Sequence, residues 1–437
     1  MVLMARPRIV IVGAGFAGYH AARALQRLAR TAADIVMVNP TDYFLYLPLL
    51  PEVAGGVLDP RRVTVPLADA LPGVRLVLGE ADGVDVQNRT VSYTGPEGER
   101  GRLGYHRLVL ASGSVNKLLP IPGVADHAHG FRGIPEALYL RDHLIRQIEL
   151  ADAADDPDER AARCTFVVVG AGYTGTEAAA QVQLLTQDVV RCHPRLRGTS
   201  PRWLLLDTAD QVLSGMDMRM SAMAERVLRE RGVEVCLGTS VAEATGAGVR
   251  LTDGRFVASR TLVWCVGVRP DPLAAGTGLP VAEGRLQVDE YLAVPGHPEI
   301  LACGDAAAVP DPSHPGELTP MTAQHAVRQG KLTARNIAAS YGVGRRRPYR
   351  HRDLGFVVDL GGWQAVANPL GVPLAGPPAR MLARGYHLAA LQANRGRTAV
   401  DWLFSAARSR PAVQLGLVPG SAVPLQTDAP ELVRLHR

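Results

Sequence analysis

Arg8-Ile9-Val10-Ile11-Val12 runs directly into Gly13-Ala14-Gly15-Phe16-Ala17-Gly18. The four apolar, β-branched residues after Arg8 read as a short strand buried on both faces. The glycines that follow have separate duties. Gly13 permits a tight turn, Gly15 lets the backbone approach a pyrophosphate, and Gly18 lets the next helix pack closely on the strand. That helix, expected from Tyr19 to Arg30, points its N-terminus at the negative charge. Asp34 to Val38 is then a second strand. A glycine-rich turn without a ligand would look similar, but the strand before and the helix after favour dinucleotide binding.

The pattern recurs. Thr165 to Val169 is a second buried strand, Gly170-Ala171-Gly172-Tyr173-Thr174-Gly175 a second glycine turn, and a helix is expected from Thr176. The two turns start 157 residues apart, at Gly13 and Gly170. Two such units imply two dinucleotides and an α/β fold of two Rossmann-like domains. The residue closing the second strand of each unit is normally an acid that holds a ribose hydroxyl. In the first unit it is Asn39, a weaker partner. In the second it is Asp207, at the end of Trp203 to Asp207. It lies 37 residues beyond Gly170, against the usual spacing of about 20, and residues 191–202 read as an irregular insertion that takes up the excess. An acid there favours NADH over NADPH, whose 2′-phosphate would face the charge. A plain turn residue at a strand end accounts for Asp207 as well.

Composition sets the bounds. The 437 residues allow two to three domains, and 47% hydrophobic with 20% charged residues is the balance of a folded chain. The net charge of +5 is uneven. Residues 341–437 hold 13 Arg, no Lys and five acids, so they carry +8 and the rest of the chain −3. Such a segment suits an anionic surface, or simply water. Only Lys117 and Lys331 are lysines, so arginine is the general cation here. The five cysteines are scattered with no C-x-x-C pair, which argues against a disulfide framework and a zinc site. No apolar run reaches the roughly 18 residues of a spanning helix, and no signal segment precedes the first strand. Residues 151–163 read as a linker or a helix end. Two strands flank Gly361-Gly362, and helix-like stretches cover Arg380 to Asn394 and Thr398 to Ala407.

With these motifs the chain resembles the type II NADH:quinone oxidoreductases, flavoproteins with two dinucleotide-binding domains, over nearly its whole length. Leu108-Val109-Leu110-Ala111-Ser112-Gly113-Ser114 is similar to the family's crossing segment between domains, and Leu301-Ala302-Cys303-Gly304-Asp305-Ala306 to its late FAD motif. Tyr46 to Gly56 resembles the segment beside the flavin, and Pro320 to Gly330 the helix start near the flavin ring. The resemblance implies FAD in the first unit, NADH in the second and menaquinone or ubiquinone as acceptor. It implies residues 1–118 with 291–345 as the FAD domain, 119–290 as an inserted NAD domain, and 346–437 as a hairpin with amphipathic helices. It places Leu49, Ala111, Ser112, Gly113, Gly267, Gly304, Asp305 and Ala323 at the cofactors, and Gln324 in the quinone pocket. It sets Glu177 near the flavin, assisting proton delivery, although acids in a first helical turn also arise for dipole reasons. Asp305 can serve as a helix cap, and Gln324 and His325 as a self-capping helix start. Arg380 to His387 and Asp401 to Phe404 resemble membrane-associating helices, implying a peripheral enzyme on the cytoplasmic face of the cell membrane. Packing on the body or on a second subunit, as in a homodimer, fits that periodicity equally.

Rival chemistries can be weighed on the cysteines. A flavin-linked disulfide reductase needs a thiol pair early in the FAD domain, and no cysteine precedes Cys164. A sulfide:quinone oxidoreductase needs a late cysteine, and none follows Cys303. The basic tail permits a reductase of a small electron-carrier protein, and Asn39 leaves room for a dinucleotide-binding protein of low turnover. Nucleic acid and metal are not expected as partners.

Overall fold

The computed structural model describes residues 6–407, 410 and 413–425. The expected C-terminal segment is therefore followed only to residue 425. Arg8–Val12 lies at the centre of a six-stranded sheet, between Asp34–Asn39 and Arg107–Leu110. Val74–Leu78 adds beyond Asp34–Asn39, and His297–Ala302 beyond Arg107–Leu110, all parallel. In chain order the strands stand 3-2-1-4-5, with antiparallel Ala293–Val294 at the edge. The second sheet repeats the plan around Thr165–Val169, with Arg202–Asp207 and Val233–Leu237 on one side and Thr261–Trp264 and Ala128–His129 on the other. The chain leaves the first sheet after Leu110, builds the second, and returns at Ala293.

Both central strands are buried on both faces, and the faces divide the core. Ile9 and Ile11 share one large apolar cluster with Phe166 and Val168, whereas Val10 and Val12, and Val167 and Val169, enter separate clusters. Alternation along a strand thus fuses the two units on one side and keeps them distinct on the other.

Helix α1 (Phe16–Leu28) follows the first turn. It starts three residues before the expected Tyr19, because Gly15 is its extended N-cap and Gly18 already sits in its first turn. A Cβ on Gly18 would stand 1.9 Å from the Gly13 carbonyl oxygen, so only glycine allows that approach. A short helix, α2 (Leu50–Ala54), lies in the Tyr46 to Gly56 segment. Helix α3 (Tyr173–Arg191) follows the second turn, again starting three residues early. The irregular insertion expected over 191–202 is present as residues 192–201, with only a 3₁₀ turn over Pro194–Leu196. Helix α3, with 19 residues where α1 has 13, takes up the rest of the excess spacing before Asp207.

Helix α4 (Ala323–Ser340) packs on α1 so closely that a Cβ on Gly330 would meet the Ala17 carbonyl oxygen at 2.1 Å. Val357–Asp359 and Ala365–Ala367 pair as the hairpin expected around Gly361-Gly362. Helices α5 (Gly376–Ala390) and α6 (Arg395–Ala407) complete the described fold. Among the described residues no helix is long and apolar enough to cross a membrane.

Candidate functional site

A cavity of about 2950 Å³ runs along the C-terminal edge of the first sheet and reaches the start of α3. Ligands of open α/β sheets bind at such edges. Its walls include Gly13, Gly15, Phe16, Ala17 and Asn39 from the first unit, and Ala111, Ser112 and Gly113 from the crossing segment. Tyr173, Thr174 and Glu177 come from α3, joined by Gly267, Gly304, Asp305, Ala323 and Gln324. Gly18, Gly170, Gly172, Gly175, Asp207 and Leu49 do not line it. Leu49 is 1% exposed, at the end of a 3₁₀ turn over Leu47–Leu49, and its neighbours Leu47, Pro48, Leu50 and Pro51 form the wall instead. A turn of three residues per revolution sends Leu49 into the core.

The two glycine turns are built alike. Val12 pairs with Val38 and Val169 with Leu206, so Asn39 and Asp207 each stand beside the first glycine of their turn. The Ala14 N–H donates to Asn39 Oδ1 at 2.7 Å, and the Ala171 N–H to Asp207 Oδ2 at 2.5 Å. Asn39 therefore does the structural work of an acid, and its amide nitrogen donates onward to the Thr41 carbonyl and hydroxyl at 2.8 and 3.0 Å. Asp207 also accepts from the Ala209 N–H at 2.9 Å.

The residues present fit two pyrophosphates. Neither α1 nor α3 has a side-chain cap or an acid in its first turn, so their leading N–H groups face outward with no side-chain acceptor. A Cβ at Gly15 or Gly172 would meet nothing within 4 Å, leaving open space against both turns. Ser112 Oγ is buried in the cavity wall without a hydrogen-bond partner among the described residues. Asp305 accepts from Ser114 Oγ at 2.7 Å; burial raises its pKa, while Ser114, Arg132 and Arg285 pull it down. Gln329 holds the late motif in place, accepting from the Gly304 N–H at 2.8 Å and donating to Thr319 at 3.1 Å.

Beside Glu177 lies a polar cluster that sequence reasoning missed. Glu177 Oε1 accepts from the Asp359 N–H at 2.7 Å. Burial, reinforced by the charge of Glu52, raises its pKa well above the carboxylate range, and Arg380 only partly offsets this. Arg380 bridges Glu52 at 3.0 Å and also pairs with Asp359. The Trp402 indole N–H donates to the second Glu52 oxygen. Glu52, Asp359, Arg380 and Trp402 are all buried. Glu52 carries the one available sequence signal, a lone acid inside an apolar run, where burial demands a partner. Nothing in the Arg-rich C-terminal segment marks Arg380 as that partner.

Gln324 Nε2 donates to the Gly355 carbonyl at 2.7 Å, and Arg328 donates to the Gln324 side-chain oxygen at 3.2 Å. His325 stacks on His351 with centroids 3.9 Å apart. Cys265 and Cys303 both line the cavity, and burial pushes each thiol up to about 12. All five cysteines are free. Among the described residues no cluster could hold a metal ion.

A doubly wound fold carrying two pyrophosphate cradles defines a two-dinucleotide oxidoreductase. The family model for pyridine nucleotide-disulphide oxidoreductases matches residues 7–330. The type II NADH:quinone oxidoreductase Ndh of Mycobacterium tuberculosis is 31% identical over 406 residues, covering 88% of this chain and 84% of that protein. Demethylphylloquinone reductase NdbB of Synechocystis is 30% identical over 393 residues, covering 88% and 92%. The structure of NDH2 from Plasmodium falciparum in complex with NADH superimposes with a TM-score of 0.85 at 17% identity, covering 93% of this chain and all of that one, a likeness of fold. The chain belongs to the pyridine nucleotide-disulphide oxidoreductase family and, within it, to the type II NADH:quinone oxidoreductases. Its cofactor is FAD and its reductant NADH.

Proposed function

We propose that this chain oxidises NADH and reduces a quinone, menaquinone or ubiquinone, at a membrane surface without pumping protons. One observation carries the reading: a single cavity joins the first glycine turn, the late motif around Asp305, the start of α3 and the start of α4. FAD, when bound, accepts hydride from NADH and returns two electrons to the quinone. The chain's own residues do the rest. The turn at Gly13, Gly15 and Gly18 and the α1 N-terminus hold the FAD pyrophosphate, with Asn39 at the ribose and Asp305 toward the ribityl chain. The turn at Gly170, Gly172 and Gly175 and the α3 N-terminus hold NADH, with Asp207 on its ribose. Gln324 orients the quinone, and Ala323 lies against the flavin. Glu177, kept protonated by burial beside Glu52, supplies a proton as the quinone is reduced. The chain divides as FAD domain over 1–118 and 291–345, NAD domain over 119–290, and a C-terminal unit from 346.

The membrane reading rests on α5 and α6. Each buries a narrow face on the body, chiefly Ala379, Arg380, Ala383 and His387, and Thr398 and Trp402. Met381, Leu403 and Phe404 are 71, 73 and 62% exposed on the other side. Exposed apolar residues among arginines suit an interfacial position on the cytoplasmic face.

An anaerobic stopped-flow experiment tests the function. NADH should bleach the flavin, and 2-methyl-1,4-naphthoquinone should restore it. Gln324→Leu should slow only the second phase, about fivefold to tenfold. Bleaching without reoxidation by the quinone would point to a protein acceptor, and no bleaching would remove the dehydrogenase reading.

A further inference from the structure

His387, on α5, forms part of the cavity wall next to Tyr386 and Leu382. Its ring is 5% exposed and is held edge-on by Tyr46 and Tyr386, with centroids 5.8 and 5.5 Å away. Its Nδ1 stands 3.0 Å from the Tyr46 hydroxyl. Nε2 has no hydrogen-bond partner among the described residues.

The tautomer follows from counting donors. The Tyr46 hydroxyl has no other acceptor among the described residues. Burial and the neighbouring Tyr386 and Glu177 raise its pKa, so it keeps its proton. Its one satisfied arrangement is donation to Nδ1. Burial also lowers the His387 pKa to about 4, with Glu52 and Arg380 acting in opposite directions, so the ring is neutral at physiological pH. A neutral ring that accepts at Nδ1 carries its hydrogen on Nε2. The wall therefore offers an N–H with nothing to receive it, in the region of Glu177. A group that brings only acceptors answers it.

We propose that His387, held in this tautomer by Tyr46, donates its Nε2–H to a carbonyl oxygen of the quinone. This rests on the quinone reading above and names a residue that sets the acceptor's orientation. The bond strengthens as the carbonyl oxygen gains electron density, which favours reduction as well as binding. His387 gives up no proton in the process. Tyr46, two residues ahead of the cavity-lining Pro48, acts through the ring as a positioning residue.

The test uses the flavin-loaded protein and the variants His387→Phe, His387→Gln and Tyr46→Phe. Each is reduced with NADH and mixed anaerobically with either 2-methyl-1,4-naphthoquinone or ferricyanide, which takes electrons without accepting this hydrogen bond. His387→Phe should slow reoxidation by the naphthoquinone about tenfold while leaving ferricyanide unchanged. His387→Gln, whose amide can donate, should recover most of the rate, and Tyr46→Phe should fall between. Infrared difference spectra of carbonyl-¹³C-labelled naphthoquinone on the oxidised protein give a second reading. The carbonyl stretch should be lower in wild type than in His387→Phe. Equal rates and an unmoved carbonyl band would overturn the proposal while leaving quinone reduction intact. Wild-type protein that reduces ferricyanide but not the naphthoquinone would instead remove the quinone reading itself. Should His387→Phe fail to fold, Tyr46→Phe, which leaves the ring in place, still decides: a wild-type rate and band in that variant would overturn Tyr46's control of the tautomer.

Discussion

Arg380 and Glu52, 328 positions apart in the chain, form a buried ion pair of 3.0 Å that ties α5 to the short helix beside the cavity. Arg380 also pairs with Asp359 of the C-terminal hairpin, so one guanidinium joins three segments. A buried pair of this kind gives little net stability, yet removing one partner leaves an uncompensated charge in the core.

Arg380→Met should therefore be strongly destabilising, by about 3–5 kcal/mol. The double variant Glu52→Gln with Arg380→Met removes one stranded charge and should recover part of that loss. Thermal and denaturant unfolding of the flavin-loaded proteins would measure both. Additive losses would mean that Glu52 and Arg380 do not act as a unit.

Glu177 should make stability depend on pH in a particular direction. Its folded pKa is raised well above its ordinary 4.5, because burial and the charge of Glu52 disfavour ionisation. Below that ordinary value both folded and unfolded chains hold the proton, and the contribution is whole. As pH rises toward the folded pKa, the unfolded chain ionises first and stability is lost. Glutamine keeps an oxygen for the Asp359 N–H but cannot ionise. Glu177→Gln should therefore flatten the fall in stability above about pH 4.5, read from urea midpoints across pH. The same variant should slow quinone-driven reoxidation. Parallel pH profiles for both proteins would remove the shifted pKa.

Asn39 and Asp207 suggest the next experiment, since they make the same backbone contact in the two units, to Ala14 and Ala171. Asp207→Asn should preserve that contact while removing the charge and, with only one oxygen left to accept, the bond from the Ala209 N–H. The preference for NADH over NADPH, as the ratio of kcat/KM values, should then fall about tenfold or more, with flavin content unchanged. An unaltered ratio would leave Asp207 a turn-bracing residue alone.

The same pair marks how far sequence reading reached. Both glycine turns, the strands before them and the residues closing the second strands were legible, because each depends on neighbours within one unit. Helix starts were set three residues late, since Gly18 and Gly175 look like turn residues and are in fact first-turn residues of α1 and α3. The polar cluster around Glu177 was out of reach. Glu52, Arg380, Asp359 and Trp402 meet only after the hairpin and the last two helices fold back over α2. No spacing or periodicity records a pairing over 328 residues. The Tyr46–His387 bond, across 341 positions, was hidden for the same reason.

The exposed side of the last two helices bears on the membrane, and the buried cluster dictates how to test it. Removing α5 and α6 outright would strip Arg380 and Trp402 from Glu52, so loss of binding could reflect damage to the core. Met381, Leu403 and Phe404 offer a cleaner target, since each is more than 60% exposed. Burying such side chains in a lipid interface is worth roughly 1.5–3 kcal/mol each. Leu403→Asp with Phe404→Asp should weaken association with anionic phospholipid vesicles by more than about tenfold in a flotation assay. NADH–ferricyanide activity and bound FAD should be retained, because neither residue lines the cavity. Arginines in the same segment should add a salt-dependent component, so raising ionic strength should weaken binding in wild type and variant alike. Full vesicle binding by the double variant would mean that this face is covered by protein instead. A concentration-dependent change in mass that the same substitutions abolish would then identify a second copy of the chain as its partner.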